Sequence, residues 1–342
     1  MSVQTVPALP QAMLTPKCPL RFREDGSFKI CVFSDLHETA EYDPRSYAAL
    51  DGIIAQEQPD LVLLGGDIWN GTLDRPADEL RAFLDVFTKP MESRNIPWAH
   101  VLGNHDHGYA FGDDVYQEIF ESYAHCVSAH TTAQMGVDGL SNFVLPIRSS
   151  DDQRIAFAVW GLDTHNLSDG LCLRNGVNLR QGHRVAKPIT GTSHWDFVHF
   201  NQLRWYYTAS EELQRINGAP IDALMIMHAA PLEYGICMDN PTDVGLVGDA
   251  EETLYSGSLN SGIVAAALQR GDVRAMVCGH MHANTFAADY CGIKLCFDGS
   301  IGFRTGGRDG LRGGRVFTLR EDATDAPETR YVYAQDVLCI GK

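Results

Sequence analysis

The sequence predicts an α/β fold, and three observations support this. Short apolar stretches are each followed by a polar loop and then by an amphipathic stretch, and this order recurs along the chain. The polar loops come directly after the apolar stretches, where open α/β sheets build their sites. The C-terminal part lacks this alternation and instead has short stretches typical of antiparallel strands. We therefore expect a sheet of buried strands with helices, and a second sheet closed by the C-terminal strands.

The N-terminal elements are predicted from apolar periodicity and turn residues. Strands over 20–22 and 28–33 flank Asp25-Gly26, a tight-turn signal, and predict a hairpin. Pro59 marks the end of a helical pattern that begins at Arg45. The strand–loop–helix order comprises helices over 45–58 and 77–86 and strands over 60–64 and 98–102.

The same order continues in the second half of the chain. Residues 166–193 are rich in Gly, Asn and Arg and have little periodicity, so we expect a long surface loop over one rim of the site. The loops over 166–193 and 239–258 are together expected to determine substrate specificity. The predicted strands are 155–162, 223–227, 273–278, 294–298, 314–319 and 329–334, and the predicted helices are 197–215 and 262–269.

Composition excludes several classes of protein. The chain has 342 residues, 44% of them hydrophobic and 21% charged, which excludes a disordered, collagen-like or fibrous protein. With 27 Lys+Arg against 44 Asp+Glu, the net charge is −17, which argues against broad binding to nucleic acid or to an anionic membrane. No apolar stretch approaches the roughly 20 residues of a membrane-spanning helix.

The chain start and the cysteines indicate a reducing compartment. The first residues lack the basic start and apolar core of a secretory leader, so we expect an extended arm over 1–19, a single domain over 20–342 and a cytoplasmic location. The nine cysteines are dispersed without a C-x-x-C pair, which favours buried free thiols over a disulfide framework.

Five polar motifs follow predicted strands. Singly each is weak, because D-x-H occurs by chance and a lone histidine at a strand end is more commonly a hydrogen-bonded core residue. Together they predict a metal site, because all lie at the same end of predicted strands. The motifs are, in order, Asp35-x-His37, Gly66-Asp67, Gly103-Asn104-His105-Asp106, His228 and Gly279-His280-x-His282.

The chemistry of the donor atoms narrows the choice of metal ion. Imidazoles and carboxylates without cysteine form a mixed nitrogen and oxygen site, which suits Mn, Fe or Zn better than Ca or Mg. Seven candidate ligands are too many for one tetrahedral ion and suit two divalent ions. Glycines ahead of three motifs let the backbone approach without a Cβ in the way. The candidate ligands are Asp35, His37, Asp67, Asn104, His228, His280 and His282.

This ordered set resembles the signature of the calcineurin-like metallophosphoesterases, over residues from about 28 to 319. Three further strings look closest to the intracellular Dcr2-type and purple-acid-phosphatase-29-like branch. The resemblance implies a four-layer α-β-β-α sandwich of two mixed sheets with helices outside. The three strings are WDFVHFNQLRWY at 195–206, MHAAPLEY at 227–234 and RGDVRAMVCGHMHANTF at 270–286.

The resemblance also implies roles for the candidate ligands. Asp67 would bridge two ions. Asp35, His37 and His282 would hold the first ion, and Asn104, His228 and His280 the second. The implied reaction is hydrolysis of a phosphate monoester, on a phosphoprotein or a small phosphorylated metabolite, by in-line attack of a metal-bridging hydroxide.

Residues without a metal to bind are assigned other roles. We expect His105 to protonate the leaving group or to stabilise the charge that develops there. Asp106 could orient His105, with a loop or helix-start carboxylate as the alternative. Substrate contacts are expected from a strand end in the same sheet and from a glycine-rich loop, with a strand-terminating turn and a solvated arginine as the alternatives. These candidates are Asp163, His165 and Asn166 at the strand end, and Arg304 in the loop.

Three functions stay open at this point. A phosphomonoesterase is favoured by the branch resemblance. A phosphodiesterase for cyclic nucleotides or nucleic-acid ends would use the same metals, and a catalytically silent binding scaffold would keep the fold but lose ligands. The acidic charge and the lack of a Lys/Arg-rich strip with aromatics argue against a nuclease. The partner expected is therefore a phosphorylated substrate, with no membrane and no nucleic acid; the sequence leaves the oligomeric state open.

Overall fold

The computed structural model describes residue 9 and residues 11–71, 74–131, 135–166, 195–257, 259–323 and 325–338. The predicted loop over 166–193 lies, apart from Asn166, outside the described residues. The strands are, in chain order, β1 (Leu20–Arg21), β2 (Ser27–Phe33), β3 (Leu61–Leu64), β4 (Trp98–His100), β5 (Phe143–Arg148), β6 (Ile155–Leu162), β7 (Asp222–Met227), β8 (Val273–Cys278), β9 (Ala287–Tyr290), β10 (Ile293–Phe297), β11 (Gly313–Arg320) and β12 (Glu328–Tyr333).

The helices flank these strands on both sides. In chain order they are α1 (Gln11–Leu14), α2 (Pro44–Glu57), α3 (Ala77–Phe87), α4 (Lys89–Glu92), α5 (Asp113–Glu121), α6 (Phe200–Asn217), α7 (Glu233–Asp239), α8 (Ile263–Arg270) and α9 (Ala334–Val337). Short 3₁₀ turns lie at Asn104–Asp106 and Asp309–Leu311.

The strands form two mixed sheets. The seven-stranded sheet has the order β1-β5-β6-β7-β8-β10-β9, with β6, β7, β8 and β10 parallel to one another. The five-stranded sheet has the order β12-β11-β2-β3-β4. Strands β2, β3 and β4 are parallel to one another, and β11 is antiparallel to both of its neighbours, β2 and β12. Parallel strands form the centre of each sheet, so their carboxyl ends can carry side chains to a common edge.

Side-chain alternation along the strands defines the layers. On β2, Ile30 and Val32 belong to the apolar core between the sheets, whereas Cys31 and Phe33 pack with the helices α2 and α3. On β7, Leu224 and Ile226 belong to the same inter-sheet core, and the alternate residues pack with α6 and α8. This period of two buries both faces of both sheets. The fold is therefore the expected four-layer α-β-β-α sandwich.

Local chemistry explains where helix α2 begins and ends. The Asp43 carboxylate accepts a hydrogen bond from Arg45 N at 2.9 Å, and Pro44 occupies the first helical position. The helix stops at Gln58, which adopts a left-handed conformation before Pro59. The helix expected over 45–58 is confirmed by α2.

The predicted hairpin between the first two strands is wrong. The chain does turn at Gly26, with a φ of 72°, and Arg23 N donates to Ser27 O at 2.9 Å. However, β1 pairs parallel with β5 in the seven-stranded sheet, while β2 lies in the other sheet. The turn residues predict the turn correctly, but partners distant in sequence decide the strand pairing.

The C-terminal strands differ in part from the prediction. As expected, β11 and β12 are antiparallel and complete the second sheet. The strand predicted over 294–298 is observed as β10, which pairs parallel with β8 in the first sheet. Its apolar residues Leu295 and Cys296 are buried on opposite faces, as the centre of a sheet requires.

The segment predicted as an extended arm contains a helical turn. Residues Gln11–Leu14 form α1, and Met13 is fully buried with Leu9 in the core beneath the seven-stranded sheet. Burial of these two apolar side chains favours the compact turn over an extended conformation. Among the helices that the structure describes, none has the length and apolar character needed to cross a bilayer.

Candidate metal centre

The predicted ligands converge from both sheets. Asp35 and His37 follow β2, Asp67 follows β3, and Asn104 follows β4 in the five-stranded sheet. His228 follows β7, and His280 and His282 follow β8 in the seven-stranded sheet. We call this set of seven side chains the cage; it lies where the carboxyl ends of the parallel strands of the two sheets meet.

One half of the cage contains Asp35, His37 and His282. The Asp35 Oδ1 atom lies 3.2 Å from His282 Nε2 and 3.5 Å from His37 Nε2. One ligand atom from each of the three side chains lies within 4.8 Å of the others, close enough to share one ion. Two imidazoles and a carboxylate are ligands that Mn, Fe and Zn accept.

The other half contains Asp67, His228 and His280, whose ligand atoms also lie within 4.8 Å of one another. Asp67 Oδ2 is 3.2 Å from His228 Nε2 and 3.3 Å from His37 Nε2, so this carboxylate faces both halves. The amide oxygen of Asn104 lies 3.1 Å from His228 Nε2 and completes this half. The position of Asp67 is the one a carboxylate shared by two ions would occupy.

The buried polar atoms of the cage fit a cation. Asp35 Oδ1 and His37 Nε2 are buried and have no hydrogen-bond partner among the described residues. Asp35 is fully buried, and a buried carboxylate oxygen without a donor is costly unless a cation neutralises it. The carboxylate and the imidazoles therefore suit a bound metal.

The protonation of His228 is set by the backbone. Its Nδ1 donates to the Gly65 carbonyl oxygen at 2.8 Å, so in the neutral ring Nε2 carries the lone pair. That lone pair points at oxygens of Asp67 and Asn104, and a cation among these atoms would satisfy all three. Burial would lower the pKa of His228, but the Asp67 carboxylate raises that pKa to about 9.

Burial and neighbouring charges also act in opposite directions on the pKa values of Asp35 and His37. Burial opposes ionisation of Asp35, yet the neighbouring imidazoles of His282 and His37 hold the pKa of that carboxyl well below its usual range. Burial likewise disfavours a charged His37, and the carboxylates of Asp35 and Asp67 raise its pKa to about 10. The site therefore favours a net positive occupant, whether protons or metal ions.

Backbone conformations at the cage are unusual. Four of the candidate ligands have left-handed φ values: Asp35 (53°), His37 (47°), Asp67 (53°) and His280 (68°). Non-glycine residues in this region are uncommon, and they cluster at functional sites. The predicted role of glycine holds at Gly103, where an added Cβ would lie 2.2 Å from Asp67 Oδ1.

Asp106 does not orient His105, contrary to the prediction. Its fully buried carboxylate accepts from the backbone N–H groups of Asp67 (2.7 Å) and Gly103 (2.9 Å), and from the Tyr116 hydroxyl (2.5 Å). Because its lone pairs are used in this way, Asp106 holds the two ligand-bearing loops together. A helix-start carboxylate was the alternative interpretation, and the 3₁₀ turn at Asn104–Asp106 fits it.

His105 lies at the rim of the cage. Its backbone N–H donates to Asp67 Oδ1 at 2.8 Å, while its exposed ring lies edge-on to His37 with centroids 4.8 Å apart. A ring nitrogen of His105 also lies within 4.8 Å of ligand atoms of His37 and Asp67. The ring is therefore both accessible and adjacent to the cage.

The residues that follow β6 differ in how deeply they are buried. Asp163 is fully buried and accepts from Leu140 N (2.8 Å) and His165 N (2.7 Å), so it is an internal acceptor rather than the predicted substrate contact. His165 is half-buried, with Nε2 3.0 Å from Gln202 Oε1. The carbonyl oxygen of Asn166 accepts from Asp196 N. Asp163 shows that the strand-terminating turn, the alternative interpretation, applies here.

Arg304 lies beside the loop that carries the first motif. Its Nε is 3.6 Å from Glu38 Oε2, its NH1 donates to Thr39 Oγ1 at 3.4 Å, and its side chain is 45% exposed. A role in substrate binding stays a prediction.

Sequence reasoning missed several residues that support the cage. Thr305 Oγ1 lies 2.9 Å from His282 Nδ1 and orients that ring with Nε2 toward Asp35. The buried Arg312 in turn donates to the Thr305 carbonyl oxygen at 2.8 Å. Ser34 precedes the first motif, and its hydroxyl lies 2.5 Å from Asp35 Oδ2. Only Ser34 had a signal in the sequence, its position next to Asp35, because Thr305 and Arg312 lie far from any motif.

Comparison with known proteins assigns the family. The profile of the family "Calcineurin-like phosphoesterase" matches residues 28–284, three quarters of the chain. The chain belongs to the calcineurin-like phosphoesterase family. Members of this family use a dimetal centre, and the cage provides candidate ligands for one.

Relatives within the family agree with the predicted branch. The chain is 26% identical over 317 residues to the "Probable inactive purple acid phosphatase 14" of Arabidopsis thaliana, covering 85% of this chain and 74% of that protein. It is 26% identical over 312 residues to "Phosphatase DCR2" of Saccharomyces cerevisiae, covering 82% of this chain. The match spans about half (49%) of that yeast protein.

A solved structure shows the same fold. A dimetal phosphatase from Danio rerio superposes with a TM-score of 0.53 at 14% identity, covering 90% of this chain and 99% of that one. At this identity the likeness concerns the fold of this calcineurin-like phosphoesterase alone.

Proposed function

We propose that this chain is a phosphatase that hydrolyses phosphate monoesters at a centre of two divalent metal ions. The observation that carries the proposal is the position of Asp67, whose Oδ2 lies within 3.3 Å of imidazoles from both halves of the cage. A carboxylate so placed can neutralise two cations at once. We expect the ions to be Mn, Fe or Zn, because the donors are nitrogen and oxygen without sulfur.

Each side chain of the cage has a proposed role. Asp35, His37 and His282 would hold one ion, and Asn104, His228 and His280 the other, with Asp67 shared. When bound, the ions supply Lewis acidity: they lower the pKa of a coordinated water and neutralise charge on the phosphate oxygens. The protein contributes fixed geometry, because Gly65, Ser34 and Thr305 anchor individual ligands.

His105 is proposed as the proton donor to the leaving group. The ring is exposed to the open side of the cage, while its backbone is fixed by the bond from its N–H to Asp67 Oδ1. The imidazole can therefore reach a substrate oxygen beside the cage without being bound within it. Proton transfer from a positioned side chain contributes about 10²–10⁴-fold to a rate.

The preference for monoesters rests on the relatives. The plant and yeast relatives are named as phosphatases, which supports a monoesterase over a phosphodiesterase. The substrate proposed is a phosphoprotein or a small phosphorylated metabolite. A cytoplasmic location and a single domain over 20–342 also stay predictions.

Metal analysis combined with two chromogenic substrates tests the proposal. We expect two metal ions per chain and faster turnover of p-nitrophenyl phosphate than of bis-p-nitrophenyl phosphate. Faster turnover of the diester would replace the monoesterase by a phosphodiesterase. Bound metal without turnover of either compound would favour a silent scaffold, an outcome that the word "inactive" in the name of the Arabidopsis relative makes worth measuring.

A further inference from the structure

A second cavity lies between the edges of the two sheets, apart from the cage. It has a volume of about 810 Å³ and is lined by residues of β9, β11 and β12, among them Ala287, Arg315, Val316 and Tyr331. None of the seven cage residues is among those that line it. The volume lies within the range of cavities that bind small organic ligands, roughly 300–1,000 Å³.

The cavity contains a buried arginine that forms no close ion pair with the carboxylates that the structure describes. Arg315 is 2% exposed, and its guanidinium forms no ion pair within 4.0 Å among the described residues. Its described acceptors are neutral: the carbonyl oxygens of Phe297 (2.8 Å) and Thr285, and Thr329 Oγ1 (3.1 Å). A guanidinium has five N–H donors, so these three bonds leave two unused.

None of the nearby acids that the structure describes lies within 4.0 Å of the Arg315 guanidinium. Asp298 interacts with Arg315 electrostatically, but its Oδ1 accepts from Ser34 Oγ at 2.9 Å and its Oδ2 has no hydrogen-bond partner among the described residues. Asp289 pairs with Lys294 at 2.6 Å, and Asp249 accepts from the Tyr333 hydroxyl at 3.2 Å.

The other charged residues of the cavity wall are paired or exposed. Arg330 pairs with Glu57, and Glu328 is exposed at the edge strand β12. Lys294 pairs with Asp289, so Arg315 is the lining cation that has no carboxylate within 4.0 Å among the described residues.

Part of the wall near Arg315 is apolar or aromatic. The guanidinium carbon lies 5.9 Å from the centroid of the Tyr331 ring. Tyr333, Val316 and Pro327 also line the space. Such walls favour a flat apolar body, because burying it removes apolar surface from water.

We propose that this cavity binds a small organic monoanion, a carboxylate attached to an aromatic or similarly flat apolar body. The carboxylate would accept the unused N–H donors of Arg315 and neutralise its charge, since guanidinium and carboxylate groups match in planar geometry. The apolar body would lie against the tyrosine rings. The proposal concerns binding alone and does not depend on the activity of the cage.

Calorimetric titration of the full chain with 2-naphthoate tests the proposal, with 2-naphthamide as its neutral counterpart. We expect saturable binding of the acid and binding of the amide that is weaker by about tenfold or more, the effect of losing a charge-assisted hydrogen bond. The Arg315→Met variant should weaken binding of the acid to a similar degree. Ala287→Phe keeps Arg315 but fills the cavity from the β9 wall, and should also abolish binding.

A matched variant and the metal centre provide the controls. Arg308→Met removes an exposed arginine that pairs with Glu251, and should leave binding unchanged. If 2-naphthoate bound to the metal ions instead, its binding would be unchanged in Arg315→Met and Ala287→Phe, and that result would overturn the proposal. Equal affinity for acid and amide, or no saturable binding by the unmodified chain, would overturn it as well. If Arg315→Met fails to fold, Ala287→Phe and the amide decide the question.

Discussion

Two groups of histidines in this protein differ in how their nitrogen atoms are satisfied. In the cage, His37 Nε2 and Asp35 Oδ1 are buried without hydrogen-bond partners. In a second group, which we call the rim cluster (His107, His165 and His199), each ring has a nitrogen within hydrogen-bond distance of a protein oxygen, although the other nitrogen of His107, Nε2, is buried without a partner among the described residues. His199 Nδ1 lies 2.7 Å from Asp138 Oδ2, and its Nε2 lies 3.1 Å from Asp196 Oδ1.

The difference separates a metal-binding site from a network of hydrogen bonds. Cage atoms from three side chains converge within 4.8 Å, whereas the described residues of the rim cluster bring no such triplet together. In the rim cluster the acid at the centre is Asp163, which backbone N–H groups already satisfy. Convergence of unsatisfied atoms, rather than histidine content, therefore identifies the cage as the candidate metal centre.

Exchanging one buried carboxylate in each group should give the sharpest contrast. Asp67→Asn removes the charge shared by both halves of the cage, so we expect a fall in kcat of about 10³-fold and a lower metal content. Asp163→Asn changes an equally buried residue of the rim cluster and should lower stability while metal content is kept. Metal analysis and steady-state kinetics measure both. Full activity in Asp67→Asn would contradict the comparison.

Removal of one imidazole from each region should give the next largest effect. We expect His105→Ala to keep its metal but to lose about 10²-fold in kcat, because the leaving group lacks its proton donor. The loss should be smallest for substrates with good leaving groups. His199→Ala in the rim cluster is the matched variant and should leave that dependence unaltered. An equal loss for all leaving groups in His105→Ala would argue against proton donation.

The support of the cage by Thr305 should have a smaller effect. Thr305→Val removes the oxygen 2.9 Å from His282 Nδ1, so we expect metal affinity to fall by about tenfold. Competition with a chromogenic chelator measures that affinity. Thr208→Val, which removes a helix-surface hydroxyl bonded to the Arg204 carbonyl oxygen, is the control and should bind metal normally. An unchanged affinity in Thr305→Val would show that the ring of His282 is oriented by other contacts.

His107 of the rim cluster should contribute to the pH dependence of the free energy of unfolding. Burial opposes a charged His107, but the neighbouring carboxylates of Asp113 and Asp163 raise its pKa to about 10. Because the folded-state pKa exceeds the unfolded value of about 6.5, the stabilisation is complete below about pH 6.5 and is lost as the pH rises through about 10. Between about pH 6.5 and 10, the free energy of unfolding in urea should fall less for metal-loaded His107→Gln than for the unmodified protein, by on the order of 1 kcal/mol. Equal losses in both proteins would contradict this assignment.

Much of the site could be predicted from sequence because its donors follow strands directly. Asp67 and His228 each come after a continuous apolar stretch, and a strand of that kind in a parallel sheet leads to the edge where sites form. The roles of Asp106 and Asp163 could not be predicted in this way. Both follow strands in polar motifs, and only their partners, Tyr116 and Leu140 among them, show that they are internal acceptors.

The sequence by itself determined the alternation of strands and helices, the order of the motifs and the chemical class of the ligands. Each of these depends on neighbouring residues, through the burial period of a strand or the donor atoms of a side chain. Only the tertiary structure decided that β1 and β2 lie in different sheets, that Thr305 supports His282 and that the buried Arg315 has no carboxylate within 4.0 Å among the described residues. These features depend on contacts between residues far apart in the chain, and no local pattern records such contacts.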